Sequence, residues 1–320
     1  MASPNSVFTE LVSTTFRNHS KEIKDNLSNR NALLKYIMMR GNYEKVDGGL
    51  TLVEGLDYAA NNTYQRYSDF DTLNISQSDV ITSAEYQWRQ IAINVVASGR
   101  ELRINSGMSK IKDLAKARLK NALRTFYNNF SNDLYSAGTL SNQINGLQAI
   151  IADVPTGTVG GIDASAWSFW QNKVMDASVQ SVTASATTIE SGLMLPLWLS
   201  LDRGPADQPD LIMADNIFYS YFEGSQASLK RYTDEQKVNA GFTTIKYKSA
   251  DVMFDSNSGI PSSHMYFINT DYLKLKVHKN ADLEELPDQR PVNQDASVIP
   301  ILWMGNLTCS NRAQQGVIIL

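Results

Sequence analysis

The pattern that most constrains the fold is a long amphipathic segment that follows Ser106-Gly107. From 108 to about 135, apolar residues return every three or four positions, which places them on one face of an α-helix. At ~1.5 Å per residue the helix is about 42 Å long, well beyond the ~11–12 residues of an average helix. Gly138 is a suitable stop signal. The buried stripe comprises Ile111, Leu114, Ala115, Leu119, Ala122, Leu123, Phe126, Phe130 and Leu134.

The first half of this helix is basic. Six cations over about four turns can neutralise phosphates without reading bases. A solvated polar face opposite the apolar stripe is the alternative interpretation. The charge of the whole chain is also uneven, since residues 1–150 carry 17 Lys and Arg against 14 Asp and Glu, and residues 151–320 carry 12 against 19. The basic positions are Lys110, Lys112, Lys116, Arg118, Lys120 and Arg124, against Asp113.

Two segments before the helix have no core of their own. Residues 1–46 contain short helical stretches, one of which stops at Gly41, and they predict an arm that lies on another surface. Residues 47–105 predict a long β-hairpin with a polar middle. Its return strand changes phase at Arg89-Gln90, which indicates a β-bulge. A two-stranded hairpin is marginal alone in water, so it must pack on a neighbour.

The remainder alternates between helices and strands, so the fold class is α+β. We expect helices at about 165–176, 188–201 and 216–229. We expect strands at 210–214, 243–247, 252–254, 265–268, 273–277 and 297–309, with a last strand near 316–320.

Catalytic and metal-binding motifs are absent from the sequence. Cys309 is the one cysteine, which excludes an intramolecular disulfide and predicts a small buried side chain. The glycines at 157, 160 and 161 precede no nearby lysine, so they predict a turn rather than a phosphate loop. The histidines at 19, 264 and 278 have no metal-ligand spacing. The acidic residues Asp282, Glu284, Glu285 and Asp288 predict an exposed loop. No apolar run approaches the ~20 residues of a membrane helix.

The order of these elements resembles the major capsid proteins of tailed bacteriophages, the Hong Kong 97 fold. The stretches that carry the resemblance span nearly the whole chain, and the ordered set is more specific than any one of them. They are 81–90 running to Ser98-Gly99, 110–114, 134–139, Gly146-Leu147, 155–163, 167–170, 208–212 and 267–275.

The resemblance implies a division of the chain into parts. Residues 1–46 form an N-terminal arm, and 47–105 form an extended loop that lies across the adjacent subunit. Residues 106–178 form a peripheral domain with a spine helix, 179–295 an axial domain, and 296–320 return to the core. The spine side faces packaged double-stranded DNA. The implied inter-subunit contacts are Tyr64, Arg66, Tyr67, Phe70, Tyr86 and Trp88, and the implied DNA-facing residues are Lys110, Lys112, Lys116, Lys120 and Arg124.

The implied function is structural and non-catalytic. Copies form pentamers and hexamers of an icosahedral shell, without cofactor or metal, in a virion made in the bacterial cytoplasm. No lysine lies between Lys45 and Lys110, so we expect no lysine cross-link from the extended loop. Because only about 46 residues precede the hairpin, we expect a separate scaffolding protein, besides a portal and a decoration protein. An encapsulin-like shell is the alternative, and an α+β hydrolase or nucleotide enzyme is the third reading.

Overall fold

The computed structural model describes residues 31–100, 108–226, 245–255, 259–287, 289–290 and 293–320, with the backbone only for 108–116. The helices are α1 (Ala32–Met39), α2 (Met108–Leu134), α3 (Leu147–Ile150), α4 (Leu195–Leu201, preceded by a π-helical turn at Ile189–Met194) and α5 (Asn216–Ser225). Short 3₁₀ turns lie at Ser168–Trp170, Thr270–Tyr272 and Arg312–Gln314. The predicted α+β class is confirmed.

The strands form two larger sheets and two small hairpins. They are β1 (Tyr43–Val46), β2 (Leu52–Asp57), β3 (Ile81–Tyr86), β4 (Arg89–Ser98), β5 (Thr158–Val159), β6 (Ile162–Asp163), β7 (Lys173–Asp176), β8 (Leu211–Ala214), β9 (Ile245–Tyr247), β10 (Ala250–Phe254), β11 (His264–Ile268), β12 (Leu273–Glu285), β13 (Ala296–Cys309) and β14 (Gly316–Ile319). The six-stranded sheet has the order β7-β14-β11-β8-β10-β9, and the four-stranded sheet has the order β1-β12-β13-β4.

The six-stranded sheet is buried on both faces. All four residues of β8 are buried: Leu211 and Met213 join one hydrophobic core, while Ile212 and Ala214 join the other. This continuous apolar run is typical of a strand that is covered on both sides. Helices α4 and α5 cover the second face through Trp198, Phe218 and other residues of that core. The sheet therefore joins two packed layers.

Helix α2 packs on the four-stranded sheet. Its predicted bounds are confirmed, and Leu123, Phe126 and Phe130 are buried in the first core. Phe130 meets Trp303 of β13 edge-to-face, with 4.9 Å between ring centroids. In β4 the odd-numbered residues face this core, and Val95 is 4% exposed. The long helix thus finds its apolar partner in strands that come before and after it in the chain.

Part of the predicted arm belongs to the core. Helix α1 buries Leu33, Leu34 and Ile37, and Asn31 caps it by accepting a hydrogen bond from the Leu34 amide at 2.8 Å. The helix ends before Gly41, which has φ 78° as the predicted stop signal requires. Residues 31–46 thus lie on their own chain, unlike an arm that needs another surface. Residues 1–30 lie outside the described residues.

The predicted long hairpin is divided between two sheets. Strand β2 pairs with β3 in antiparallel register from Leu52 opposite Tyr86 to Asp57 opposite Ile81. Strand β4 pairs instead with β13, from Ser98 opposite Ala296 to Arg89 opposite Gly305. The β-bulge prediction was wrong: the phase changes because the chain leaves one sheet for the other between residues 86 and 89.

Two other local predictions were wrong. Residues 165–176 form a 3₁₀ turn followed by β7 rather than a helix, because β7 pairs in parallel with β14 at the far end of the chain. Asp282 lies in β12 rather than in an exposed loop. Its carboxylate accepts from the Tyr43 hydroxyl at 2.6 Å and lies 2.9 Å from Lys45 Nζ. Asp288 lies outside the described residues.

The sheets also divide the chain differently from the expected domains. The six-stranded sheet combines β7, β8–β11 and β14, while β12 belongs to the four-stranded sheet. A buried Arg312 lies at the junction, where Nε donates to the Ile150 carbonyl at 2.7 Å and Nη2 donates to Asn172 at 2.9 Å. Burial lowers the pKa of this guanidinium from its ordinary value.

Candidate assembly surface

A projecting loop, residues 58–80, extends from the β2–β3 hairpin and contains no helix or strand. Its two legs are bridged by hydrogen bonds. The Tyr58 amide donates to the Val80 carbonyl at 3.0 Å, and Gln65 donates to the Thr72 carbonyl at 3.1 Å. Asn74 donates across to the Asn62 carbonyl at 3.2 Å. Because these groups are polar and exposed, the loop is ordered without a core of its own.

Large apolar side chains of this loop lie in solvent. Tyr64 is 80% exposed, Tyr67 is 69% exposed and Phe70 is fully exposed. Leu73, Ile75 and Ile81 are also exposed. Contiguous apolar surface of this kind is typical of a protein-interaction site, where aromatic residues are enriched. Arg66 lies beside them and is exposed.

The base of the loop is fixed to the rest of the chain. Leu52, Leu56, Ala84 and Trp170 belong to a third buried cluster between the hairpin and residues 159–170. Tyr86 is 1% exposed, and its hydroxyl donates to the Cys309 carbonyl at 2.9 Å. The prediction of an inter-subunit contact through the Tyr86 side chain is therefore wrong, because this ring packs within its own chain.

A buried ion pair fastens the hairpin to the four-stranded sheet. Lys276 Nζ lies 2.7 Å from Glu54 Oε1, and both side chains are about one-tenth exposed, at 11% and 10%. The Thr308 hydroxyl donates to the same carboxylate oxygen at 2.7 Å. Trp88 is half-buried nearby: its indole donates to the Gly49 carbonyl at 2.9 Å, and its ring meets His278 edge-on. These contacts set the angle at which the loop leaves the body.

The polar face of α2 carries the second candidate surface. Lys120 and Arg124 are exposed on the side opposite the buried stripe. Arg118 donates to the Val96 carbonyl of β4, so part of its charge lies beside the sheet. The backbones of Lys110, Lys112 and Lys116 continue the same helix, and their side chains lie outside the described part.

Sequence analysis missed a third surface, the outer face of β4 and β13. Val96 is 45% exposed and pairs with half-buried Val298, followed by Pro300 opposite Asn94 and Leu302 opposite Ala92. The signal was present in residues 296–304, where apolar residues occupy both strand parities. One parity packs on α2, so the other forms an uncharged surface on the opposite face.

The described residues contain no arrangement suited to catalysis or metal binding. No group of three or more His, Cys, Asp or Glu is positioned to hold a metal ion there. Burial raises the pKa of Cys309 to about 12, which keeps the thiol protonated and unreactive. His264 begins β11 rather than lying in the predicted loop, and its Nε2 lies 3.1 Å from Asp153. Gly160 and Gly161 have φ 60° and 76°, as the predicted turn requires.

The comparisons with known proteins identify the fold. No family model and no curated protein sequence matches the chain. A chain of the cyanophage A-1(L) capsid asymmetric unit superposes with a TM-score of 0.66 at 16% identity, covering 88% of this chain and 91% of that chain. The SrpI encapsulin of Synechococcus elongatus PCC 7942 gives 0.55 at 10% identity, with 88% and 86% covered. Mycobacterium phage Bobi gives 0.53 at 11% identity, with 88% and 89% covered.

The chain therefore has the fold shared by bacteriophage capsid proteins and an encapsulin. The similarity to phage capsid proteins inferred from the order of sequence elements is confirmed at the level of the fold. In the described residues, no helix is long and apolar enough to cross a membrane.

Proposed function

We propose that the chain is the major capsid protein of a tailed bacteriophage, which assembles through pentamers and hexamers into an icosahedral shell around double-stranded DNA. The observation that carries the proposal is the projecting loop, which holds Phe70 fully exposed on a hydrogen-bonded frame. A chain with this fold and this loop gains stability when a second copy covers the exposed rings.

The loop and the body that receives it are different surfaces of one chain. Such a contact is heterologous, so each copy offers one surface and receives another, and closed rings result when the rotation closes. Tyr64, Arg66, Tyr67 and Phe70 are the contact residues we assign to the adjacent copy. Trp88 has one half-exposed face for the same role, and Tyr86 is withdrawn.

The basic face of α2 suits the packaged genome. Lys112, Lys116, Lys120 and Arg124 follow one another at four-residue steps, which keeps them on neighbouring turns of one helix. Charges spaced in this way neutralise phosphates without sequence preference. Lys110 extends the same basic half.

Partners beyond the chain itself follow from the proposed role. A separate scaffolding protein guides assembly, a portal occupies one vertex, and a decoration protein covers outer sites. The shell is made in the bacterial cytoplasm and ends in the virion. The subunit acts by assembly rather than by catalysis.

Expression of the chain, alone and with its scaffolding protein, tests the proposal. Electron microscopy is expected to show closed shells of uniform diameter. A monodisperse monomer that assembles under neither condition would contradict the proposal.

An encapsulin-like compartment is the second candidate, favoured by the SrpI encapsulin among the structures of similar fold. The content of the particles separates the two functions. Nucleic acid retained after nuclease treatment supports the capsid, while a co-purifying enzyme in shells free of DNA supports the compartment.

A further inference from the structure

We propose that the tip of the projecting loop, Asp69-Phe70-Asp71, docks on the outer face of β4 and β13 of a second copy, at the end marked by Val96 and Val298. This inference rests on the proposed function, because it names the surface that receives the loop. Nothing in the fold similarity assigns that surface to particular residues.

The tip combines one apolar anchor with two negative charges. Phe70 is fully exposed, and Asp69 beside it is exposed as well. Asp71 accepts from the Ser68 amide at 2.8 Å, so its carboxylate also stabilises the turn. A ring held out between two carboxylates is suited to an apolar surface with positive charge at its edge.

The outer face of β4 and β13 provides the apolar part. The paired rows from Val96 and Val298 to Ala92 and Leu302 contain no charged side chain. Val96 is 45% exposed, although the residues beside it in β4, Val95 and Ala97, are buried on the helix side. A charge-free patch of this kind can be desolvated by an aromatic ring without leaving an ion unpaired.

Positive charge collects at one end of that face. Arg100 is exposed two residues beyond Ser98, at the end of β4. Arg118 donates to the Val96 carbonyl, and Arg290 follows Gln289, which bridges to Val298. One carboxylate, Asp295, lies at the same end, where its backbone carbonyl accepts from the Gly99 amide at 2.8 Å. Three arginines against one aspartate leave an excess of positive charge for the acidic tip.

A charge-reversal series tests this docking. Asp69→Arg and Arg100→Asp each place like charges at the contact, which costs about tenfold or more in the yield of shells. The combined variant restores opposite charges and is expected to recover the yield to within about threefold. The matched control is Asp79→Arg, an exposed aspartate in the descending leg of the same loop, which is expected to assemble normally. All four substitutions lie at exposed positions, and circular dichroism of the unassembled chain checks that each variant folds.

A photo-cross-link locates the contact. Replacing Phe70 with benzoylphenylalanine in assembled shells is expected to yield peptides joined to residues 89–100 or 289–304 of a second copy. Cross-links confined to other residues would overturn the docking, as would Asp69→Arg and Arg100→Asp variants that assemble like Asp79→Arg. Shells from the unmodified chain with the wrong cross-links reject the docking alone. Absence of any shell from the unmodified chain rejects the proposed function as well.

Discussion

The buried pair between Glu54 and Lys276 sets the attachment of the hairpin, and its removal should be costly. Glu54→Leu leaves the Lys276 ammonium 11% exposed without its close carboxylate. Breaking a buried pair from one side costs ~3–5 kcal/mol of unfolding free energy. The Val53 carbonyl at 3.2 Å and Glu44 at 3.9 Å remain near the ammonium, so we expect the lower end, about 3 kcal/mol.

The assay is chemical denaturation together with thermal unfolding. A loss of about 3 kcal/mol lowers the midpoint of a chain of this size by roughly 6 °C. Replacing both partners, with Glu54→Leu and Lys276→Met, removes both charges and should cost only ~1 kcal/mol. The control is Glu44→Gln, whose side chain is 47% exposed and lies 3.6 Å or more from its lysines, so its cost should stay below ~1 kcal/mol.

Two results would refute this reasoning. The first is a Glu54→Leu variant as stable as Glu44→Gln, which would mean that the pair is screened by water. The second is a double variant no more stable than the single one, which would mean that packing rather than charge sets the cost. The single variant should also assemble poorly, because the hairpin base holds the projecting loop at its angle.

Four further outcomes are expected. Burial raises the pKa of Cys309 from 9.0 to about 12, so the unfolded chain loses this proton first and the unfolding free energy falls as pH rises through that window, by ~1.4 kcal/mol per pH unit; denaturation of Cys309→Ala should show a shallower fall. Gly146→Ala places a Cβ 2.2 Å from the Ser136 amide and should cost ~2 kcal/mol or more in chemical denaturation, whereas Gly157→Ala meets nothing within 4 Å and should be nearly neutral. Mature particles should run as single chains on a denaturing gel, and covalent ladders would contradict the missing-lysine argument. Shells should still form, but release DNA at lower temperature in a nuclease assay, after replacement by Gln of Lys112, Lys116, Lys120 and Arg124.

Local patterns in the sequence predicted the elements whose stability is local. Helix α2 was predictable to within a residue because its stripe runs over 27 residues. Strand β8 was predictable because a short apolar run ends at an aspartate, and Asp215 does cap α5 by accepting from the Phe218 amide at 2.8 Å. In both cases the signal lies within the element itself.

Pairings between distant segments were not predictable in the same way. The opposite phases of residues 82–86 and 91–95 were read correctly, but the identity of the partner strand depends on residues 296–305. Tyr86 was taken for an interface residue because an aromatic residue in a hairpin looks exposed until Cys309 is placed beside it. Asp282 looked like a loop residue because its partners, Tyr43 and Lys45, are far away in the sequence.

The low charge of the chain follows from where its surfaces are used. Charged residues make up 19% of the sequence, against ~25% in an average globular protein. The deficit is visible in the structure, since the outer face of β4 and β13 carries no charge over its paired rows from 90 to 98. An ion placed there would have to be desolvated whenever a second copy covered the face, at a cost that a serine, asparagine or valine avoids. The charges that remain nearby, such as Arg100 and Arg290, lie at the edge, where they can select and orient a partner while they stay in contact with water.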